Sequence, residues 1–156
     1  TFLVSWIESL SMADYRPYHI NFVGDYDSFE VLRSAVSQFP ELTTSFWPWS
    51  LKRLKDAADT SDFSLLPGDL ASPGKAGVGI NRLSASLALG LPTLATPYTS
   101  YLQLRPFFID LDLQSFSRAL CGQYNLIVDD SRLASYLDFF SRKSIQDQWV
   151  SAVFDS

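Results

Sequence analysis

The chain has 156 residues with 47% apolar and 15% aromatic content, which is enough to bury a sizeable core in one compact domain. Its 12 basic and 17 acidic residues give a formal net charge of −5, which argues against a protein that binds the phosphate backbone of nucleic acid. No apolar run reaches membrane-spanning length, and the N-terminus lacks the basic-then-apolar order of a signal peptide, so we expect a cytoplasmic location.

The first half of the chain alternates predicted helices and strands. In chain order these are a helix at Phe2–Leu10, a strand at His19–Val23, a helix at 27–38, a strand at Leu42–Trp47, a helix at 51–58 and a strand at Asp62–Leu66. Asp27 with Glu30 three residues later resembles a capping box, and Ser50 is a predicted N-cap.

The second half continues the alternation. The predicted elements are a helix at Ile80–Leu89, strands at Thr93–Ala95 and Phe107–Ile109, a helix at Gln114–Cys121, a strand at Leu126–Val128, and helices at Ser131–Arg142 and Ile145–Phe154. Cys121 lies in an apolar stretch and is predicted to be a buried thiol; as a lone cysteine it excludes an intramolecular disulfide. We therefore predict a Rossmann-like, doubly wound α/β domain with a parallel sheet covered on both faces.

Ligands of such sheets bind beyond the carboxyl ends of the strands. The loops at those ends place a set of polar and aromatic residues in the predicted cleft: Gly24, Asp25, Trp47, Pro48, Trp49, Asp69 and Tyr98. A tryptophan of the WPWS loop could stack on a nucleotide base. The alternative is that both tryptophans are core or covering aromatics.

A glycine-rich loop precedes the predicted helix at Ile80–Leu89. Glycines let backbone N–H groups approach a ligand closely, and a helix start presents unpaired N–H groups and a positive dipole end. Lys75, Asn81 and Arg82 would add further donors and positive charge there. The loop matches neither the P-loop nor the dinucleotide fingerprint, and a surface loop with one solvated lysine is the alternative.

Three segments resemble the C-terminal, nucleotide-sugar-binding domain of GT-B glycosyltransferases. They are HINFVGD, ADTSDFSLLPGD and the run from Lys75 through INRLSASLALGLPTLATPYTSY. In that family a strand with a proline turn, a loop, a helix of the form LLEAMALG and a strand reading PVVAT follow one another. The matching residues here are Leu65–Pro67, Leu83–Gly90 and Pro92–Thr96, and GQYNLIVDDSRLASYL resembles a later strand and helix of the family.

The resemblance implies a site for the donor's diphosphate at the start of the helix. The residues that would line it are Gly77, Gly79, Asn81 and Arg82. Lys75 and Arg82 would carry the catalytic charge, stabilising the leaving diphosphate in place of a divalent metal, so no metal cofactor is expected. Many retaining members carry two glutamates at positions that correspond to Gly77 and Ala85, and both carboxylates are absent here.

Other polar residues favour structural roles. His19 opens a strand, and Asp129-Asp130 before a helix is typical of a cap. Asp110 and Asp112 allow the same interpretation. Without neighbouring histidines or cysteines, these acidic residues do not predict a metal site.

The chain begins without methionine and with a predicted helix, whereas the resembled domain opens with a strand. We therefore expect it to be one half of a GT-B architecture, which binds the nucleotide-sugar donor and is inactive without an N-terminal acceptor domain. The alternative is a non-catalytic Rossmann-like or flavodoxin-like interaction module with a degenerate site.

Overall fold

The computed structural model describes residues 18–40, 42–71, 79–123 and 130–139. Their strands are β1 (Tyr18–Gly24), β2 (Leu42–Pro48), β3 (Ser64–Leu66), β4 (Thr93–Ala95) and β5 (Ile109–Asp110). Their α-helices are α1 (Tyr26–Val36), α2 (Leu51–Ala58), α3 (Asn81–Ala88), α4 (Leu113–Leu120) and α5 (Asp130–Phe139), with a 3-10 helix at Thr99–Phe107.

All described strand pairs are parallel. β1 pairs with β2 along its whole length, from Tyr18 opposite Leu42 to Gly24 opposite Pro48. β4 lies between β3 and β5 in a separate three-stranded sheet. The predicted α/β class is confirmed, as small parallel sheets joined by helices.

Helices cover both faces of the β1–β2 sheet. On one face Phe22 stacks on Phe46 with ring centroids 5.1 Å apart, and Phe29 of α1 meets Phe46 edge-on at 5.4 Å. Because side chains alternate along a strand, Asn21 and Trp47 lie on the other face. There the amide of Asn21 donates to Thr60 and Ser61 just after α2.

Two apolar clusters enclose β4. Ala95 packs in the larger one, whose buried members include Leu83, Leu87, Tyr101 and Leu104. Leu94 points to the opposite face and packs with Phe116 and Ala119 of α4. Consequently all three residues of β4 have 0% exposure.

Side-chain caps fix the starts of three helices. Ser50 accepts a hydrogen bond from the N–H of Arg53, so the predicted cap of α2 is confirmed. The predicted capping box at Asp27 is wrong, because Asp25 is the N-cap of α1 and accepts from the N–H of Ser28 at 2.9 Å. The backbone of Asp25 is extended, so its side chain can accept from the first N–H groups of the helix, which have no partner within the helix. Asp27 already lies in the first helical turn.

Two further predictions need correction. The strand predicted at Phe107–Ile109 is shorter and later, because the 3-10 helix continues to Phe107 and carries Tyr101, Leu104 and Phe107 into the core. The prediction that Cys121 is buried is wrong: it is exposed, at the C-cap position just after the last residue of α4.

The helix predicted at Ser131–Arg142 corresponds to α5 over its described part, and the predictions for Phe2–Leu10, Leu126–Val128 and Ile145–Phe154 lie outside the described residues. Gly90 ends α3 with a φ of 75°, as predicted for a helix stop. In the described ranges, no helix combines the length and apolarity needed to cross a bilayer.

Candidate functional site

The described site residues lie at strand carboxyl ends or at the start of α3. Gly24 ends β1, Pro48 ends β2, and Tyr98 follows β4 by three residues. Asn81 and Arg82 form the first turn of α3, with Gly79 just ahead of it. Lys75 and Gly77, which the sequence predicts in the same site, lie outside the described residues.

A backbone hydrogen bond ties the ends of β1 and β2 together. The N–H of Trp49 donates to the carbonyl oxygen of Gly24 at 2.8 Å. Asp25 follows directly, and its pKa is lowered first by hydrogen bonding from the side chain and backbone of Ser28. The carboxylate at this edge is therefore ionised at neutral pH and already engaged as a helix cap.

The start of α3 differs from the starts of α1, α2 and α4. Ile80 occupies the N-cap position, makes no side-chain cap hydrogen bond and has a helical backbone conformation. The first turn contains no acidic residue, and Asn81 and Arg82 are both exposed. This helix start thus combines N–H groups that lack a side-chain cap with a guanidinium and an amide.

Arg82 connects the two sheets electrostatically. Its charge contributes to the lowered pKa of Asp25, behind the hydrogen bonds from Ser28. It also opposes the raised pKa of Tyr101, whose main cause is burial. Arg82 therefore acts electrostatically on a residue at the end of β1 and on a residue in the core beneath β4.

The absence of a side chain at Gly68 lets the Tyr98 ring pack directly against the backbone. A Cβ on Gly68 would lie 1.9 Å from the Tyr98 Oη and 2.5 Å from two ring atoms, so the tyrosine ring occupies the space of a side chain. The Gly68 N–H donates to Thr96 Oγ1 at 2.9 Å. Tyr98 is only 6% exposed and meets Tyr101 edge-on, so it packs beneath the edge. The carboxylate of Asp69, which follows Gly68, accepts a hydrogen bond from the N–H of Ala71.

The two tryptophans of the WPWS loop have different surroundings. Trp47 is half-buried, with the guanidinium of Arg53 5.0 Å from its ring centre. Its Nε1 is shielded from solvent and meets no acceptor among the described residues. Trp49 is 64% exposed, so it is the ring that a ligand can reach from solvent. Pro48 lies between them and is partly buried.

Sequence reasoning missed two exposed apolar residues at the same edge. Tyr26 is 71% exposed and follows Asp25 at the start of α1. Leu51 is 74% exposed and begins α2, two residues after Trp49. Their position directly after strand ends was the available signal, because these loops border the cleft in an α/β sheet.

The other polar candidates have structural partners. His19 is exposed, and its Nε2 lies 2.9 Å from Ser45 Oγ on the neighbouring strand. Asp110 forms an ion pair with Arg105, and Asp112 is the N-cap of α4. Within the part of the chain that the structure describes, no three potential metal ligands come together.

Comparisons with protein-family models, with curated proteins and with solved structures found no match to this chain.

Proposed function

We propose that this chain is the donor-binding half of a GT-B glycosyltransferase, which holds a nucleotide diphosphate sugar at the start of α3. The observation that carries the proposal is the position of Arg82. It lies exposed in the first turn of a helix without a side-chain cap, and its charge makes a small contribution to the lowered pKa of Asp25, behind the hydrogen bonds from Ser28. An anion at this position would meet backbone N–H groups, an amide and a guanidinium together.

The directions of the helical connections support a doubly wound sheet. α1 and α2 cover opposite faces of the β1–β2 sheet. Because crossovers between parallel strands are right-handed, connections on opposite faces move in opposite directions along a sheet. β2 and β3 therefore lie on opposite sides of β1 in our proposal. The winding reverses between β1 and β3, which is where ligands of such sheets bind.

The loops after β1 and β2 and the start of α3 provide two kinds of group for such a donor. Trp49 and Tyr26 offer exposed aromatic rings, on which a nucleotide base could stack. Asn81 and Arg82 offer donors for the diphosphate on the other side of the reversal. Asp25 follows the end of β1, and its lowered pKa keeps it ionised at neutral pH. Its charge would repel a phosphate and favour a sugar or ribose hydroxyl as its neighbour.

Transfer of the sugar builds negative charge on the leaving diphosphate. The backbone N–H groups at the start of α3 are fixed before the reaction, so they would stabilise that charge without reorganising, and Arg82 would add a guanidinium. Lys75, in the loop ahead of α3, would add a point charge from the sequence position where the resemblance implies it. The acceptor and the second half of the active site would come from an N-terminal domain.

A thermal shift titration tests donor binding. The melting temperature is measured with and without millimolar uridine, guanosine and adenosine diphosphates and their sugar conjugates, at constant ionic strength and without metal. A ligand at a hundredfold its Kd adds about 2.7 kcal/mol to stability, which is several degrees for a domain of this size. We expect a rise with one base.

Arg82→Ala is the decisive variant, with Arg118→Ala as its control. Both side chains are exposed arginines on eight-residue helices, and Arg118 lies in the last turn of α4. We expect Arg82→Ala to weaken binding by about 1–3 kcal/mol, as for a charge-assisted hydrogen bond, and Arg118→Ala to leave it unchanged. Equal affinity in both variants would remove Arg82 from the site.

A second candidate function is a non-catalytic interaction module. Two observations favour it: the absence of both family glutamates, and the exposure of Tyr26, Trp49 and Leu51 at one edge. If no nucleotide raises the melting temperature, this candidate is favoured over the donor-binding half.

A further inference from the structure

The outer edge of β2, on the side away from β1, is open among the described residues. β2 pairs with β1 along its whole length and has no second strand partner in the part of the chain that the structure describes. Pro48 lies in this strand. Proline has no N–H for a ladder hydrogen bond, so within sheets it occurs mainly on edge strands. The sequence of β2 therefore agrees with its pairing in making it an edge strand.

Two backbone N–H groups of β2 point to this outer edge. The N–H of Trp49 donates to the carbonyl oxygen of Gly24, and the residues that bond to one neighbour alternate along a parallel strand. Odd-numbered residues of β2 therefore bond to β1, and Thr44 and Phe46 direct their N–H and carbonyl groups outward. Neither N–H has a backbone acceptor among the described residues. These groups can pair with a further strand.

A groove lies on each face of β2 beside this edge. The first is lined by residues of β2, α1 and the turn after α1, including Arg33, Val36, Phe39, Leu42, Thr44 and Phe46. The second is lined by residues of β2 and the first turn of α2, including Ser45, Trp47, Pro48 and Arg53. No described residue of β1 lines either groove, so both lie toward the outer edge of the sheet.

This arrangement suits the addition of a strand. Successive side chains of a strand point to opposite faces, so a strand paired with Thr44 and Phe46 would place its side chains alternately over the two grooves. Proteins that bind extended peptides at a sheet edge use the same combination. Backbone hydrogen bonds supply affinity, and pockets for alternate side chains supply specificity.

Each groove contains an arginine whose guanidinium lies over an aromatic ring of β2. The guanidinium of Arg33 is 5.0 Å from the ring centre of Phe46 on the α1 face. That of Arg53 is 5.0 Å from the ring centre of Trp47 on the α2 face. The side chains of Arg33 and Arg53 are 58% and 52% exposed. Because Phe46 and Trp47 are adjacent, the two charges lie on opposite faces of the same part of the edge.

The carboxylates nearest these arginines bind them weakly. Glu30 is 3.6 Å from Arg33 in an exposed pair. Asp56 is 4.0 Å from Arg53, and its closer partner is Lys52 at 2.7 Å. Exposed ion pairs of this kind contribute little to stability, so both guanidinium groups can exchange them for another anion. β2 itself carries no charged residue. Each groove therefore presents a positive charge, although the chain as a whole has a net charge of −5.

We propose that the outer edge of β2 binds an extended acidic segment of a partner protein as an added strand. Two adjacent acidic residues of that segment would point to opposite faces, one toward Arg33 and the other toward Arg53. Apolar, β-branched residues beside them would pack along Leu42 and Thr44. A second copy of this chain is a poorer occupant, because β2 has no acidic residue to place beside either arginine. The proposal does not depend on nucleotide binding.

Peptide binding to the 156-residue chain, without nucleotide, tests the proposal. The probe is an acetylated and amidated peptide as long as β2, in which threonine and valine alternate before two adjacent glutamates and a final threonine. Its control has glutamines in place of both glutamates. Two more versions of the probe carry N-methyl groups, one on the odd and one on the even positions. An added strand pairs through one edge only, so it tolerates methyl groups on one of these two sets.

We expect the glutamate probe to bind more tightly than its glutamine control, and one methylated version to lose binding while the other keeps it. Bound probe should slow amide exchange at Thr44 and Phe46 by about tenfold or more. The amides of Ser45 and Trp47, which bond to β1, are the internal control and should exchange slowly with or without probe.

The arginines are tested by a cycle of protein and peptide variants. Arg33→Gln and Arg53→Gln should each weaken binding of the glutamate probe by about two- to fivefold, as for an exposed charge pair, and leave binding of the glutamine peptide unchanged. Arg118→Gln, which alters an exposed arginine on α4, is the matched control and should change neither.

Four results would overturn the proposal. The glutamate probe binds no more tightly than the glutamine peptide, or does not bind. The two methylated versions behave alike. Exchange at Thr44 and Phe46 is already as slow as at Ser45 and Trp47 in the chain alone, which would show that its own residues cover the edge. Protection of Thr44 and Phe46 rises with protein concentration without probe, which would identify a second copy as the occupant.

Discussion

The β1–β2 unit and the β3–β5 unit use the same parallel pairing but are buried to different degrees. Leu94 and its neighbours in β4 have 0% exposure, enclosed by α3 on one face and α4 on the other. β1 and β2 form a longer ladder, with seven paired positions, yet their described side chains are half-buried or exposed. Ladder length therefore does not decide burial; a strand on both sides and a helix on both faces does.

We expect this difference to separate the main source of stability from the proposed binding surface. Apolar burial is the main favourable term in folding, so most of the stabilisation should come from the β3–β5 unit. The β1–β2 unit instead carries the exposed rings of Tyr26 and Trp49. Sites that bind ligands are commonly drawn from the less buried part of a domain.

Leucine truncations test the contrast in stability most directly. Leu94→Ala in β4 removes a fully buried side chain that packs with Phe116, and we expect a loss of about 2–5 kcal/mol in the free energy of unfolding. Leu42→Ala in β2 removes a half-buried leucine, and we expect about 1–2 kcal/mol. Urea denaturation followed by circular dichroism measures both, and equal losses would contradict the contrast.

Substitutions of the glycines after β3 and at the end of β1 test the same contrast between the two units. Gly68→Ala forces the Tyr98 ring out of a space where the new Cβ would lie 1.9 Å from Oη, and we expect a loss of about 1–3 kcal/mol. Gly24→Ala is the matched control, because its Cβ would meet Phe29 at an ordinary 3.6 Å. The melting temperature should fall markedly for the first variant and little for the second; the reverse order would show that Tyr98 is not fixed against Gly68.

Acid titration gives the smallest expected effect. Asp25 and Asp112 each cap a helix, one in each unit, and hydrogen bonding from Ser28 and Ser115 respectively lowers their pKa from 3.8. Because the folded pKa lies below the unfolded one, each cap stabilises the protein fully above pH 3.8 and loses this effect as the pH falls through the folded pKa.

The measurement is the melting temperature between about pH 2 and pH 7 for Asp25→Asn and Asp112→Asn. Asparagine caps helices as well as aspartate but does not titrate, so each variant should lose a small part of the acid dependence while remaining folded at neutral pH. An unchanged pH profile in both variants would show that these carboxylates do not contribute to acid sensitivity.

Much of the local structure was predictable from the sequence. Ser50 before a charged helix, and Gly90 after α3, are signals that act within a few residues of the chain, so the structure follows them. The cap of α1 was predicted at Asp27 but lies at Asp25. Both residues fit a cap by type, and the choice depends on where the end of β1 leaves the chain extended.

Predictions that depended on distant contacts were less accurate. The sequence predicts a strand starting at Phe107, whereas packing of Tyr101, Leu104 and Phe107 favours a 3-10 helix up to that residue. Cys121 lies in an apolar sequence but is exposed at the C-cap of α4, beyond the last helical residue. The candidate site residues were predicted individually, and their roles as ligand contacts remain predictions.

By itself the sequence determined the α/β class, the order of the elements and the positions of most helix ends, because hydrophobic periodicity and capping act over short stretches of chain. Only the tertiary structure decided that the described strands divide into two sheets, that β4 alone among them is fully enclosed, and that the charge of Arg82 acts on Asp25. Asp25 and Arg82 are 57 positions apart in sequence. Local propensity acts over a few residues, so it carries no information about which distant residues interact. That is set by how the crossovers pack helices on opposite faces of a sheet.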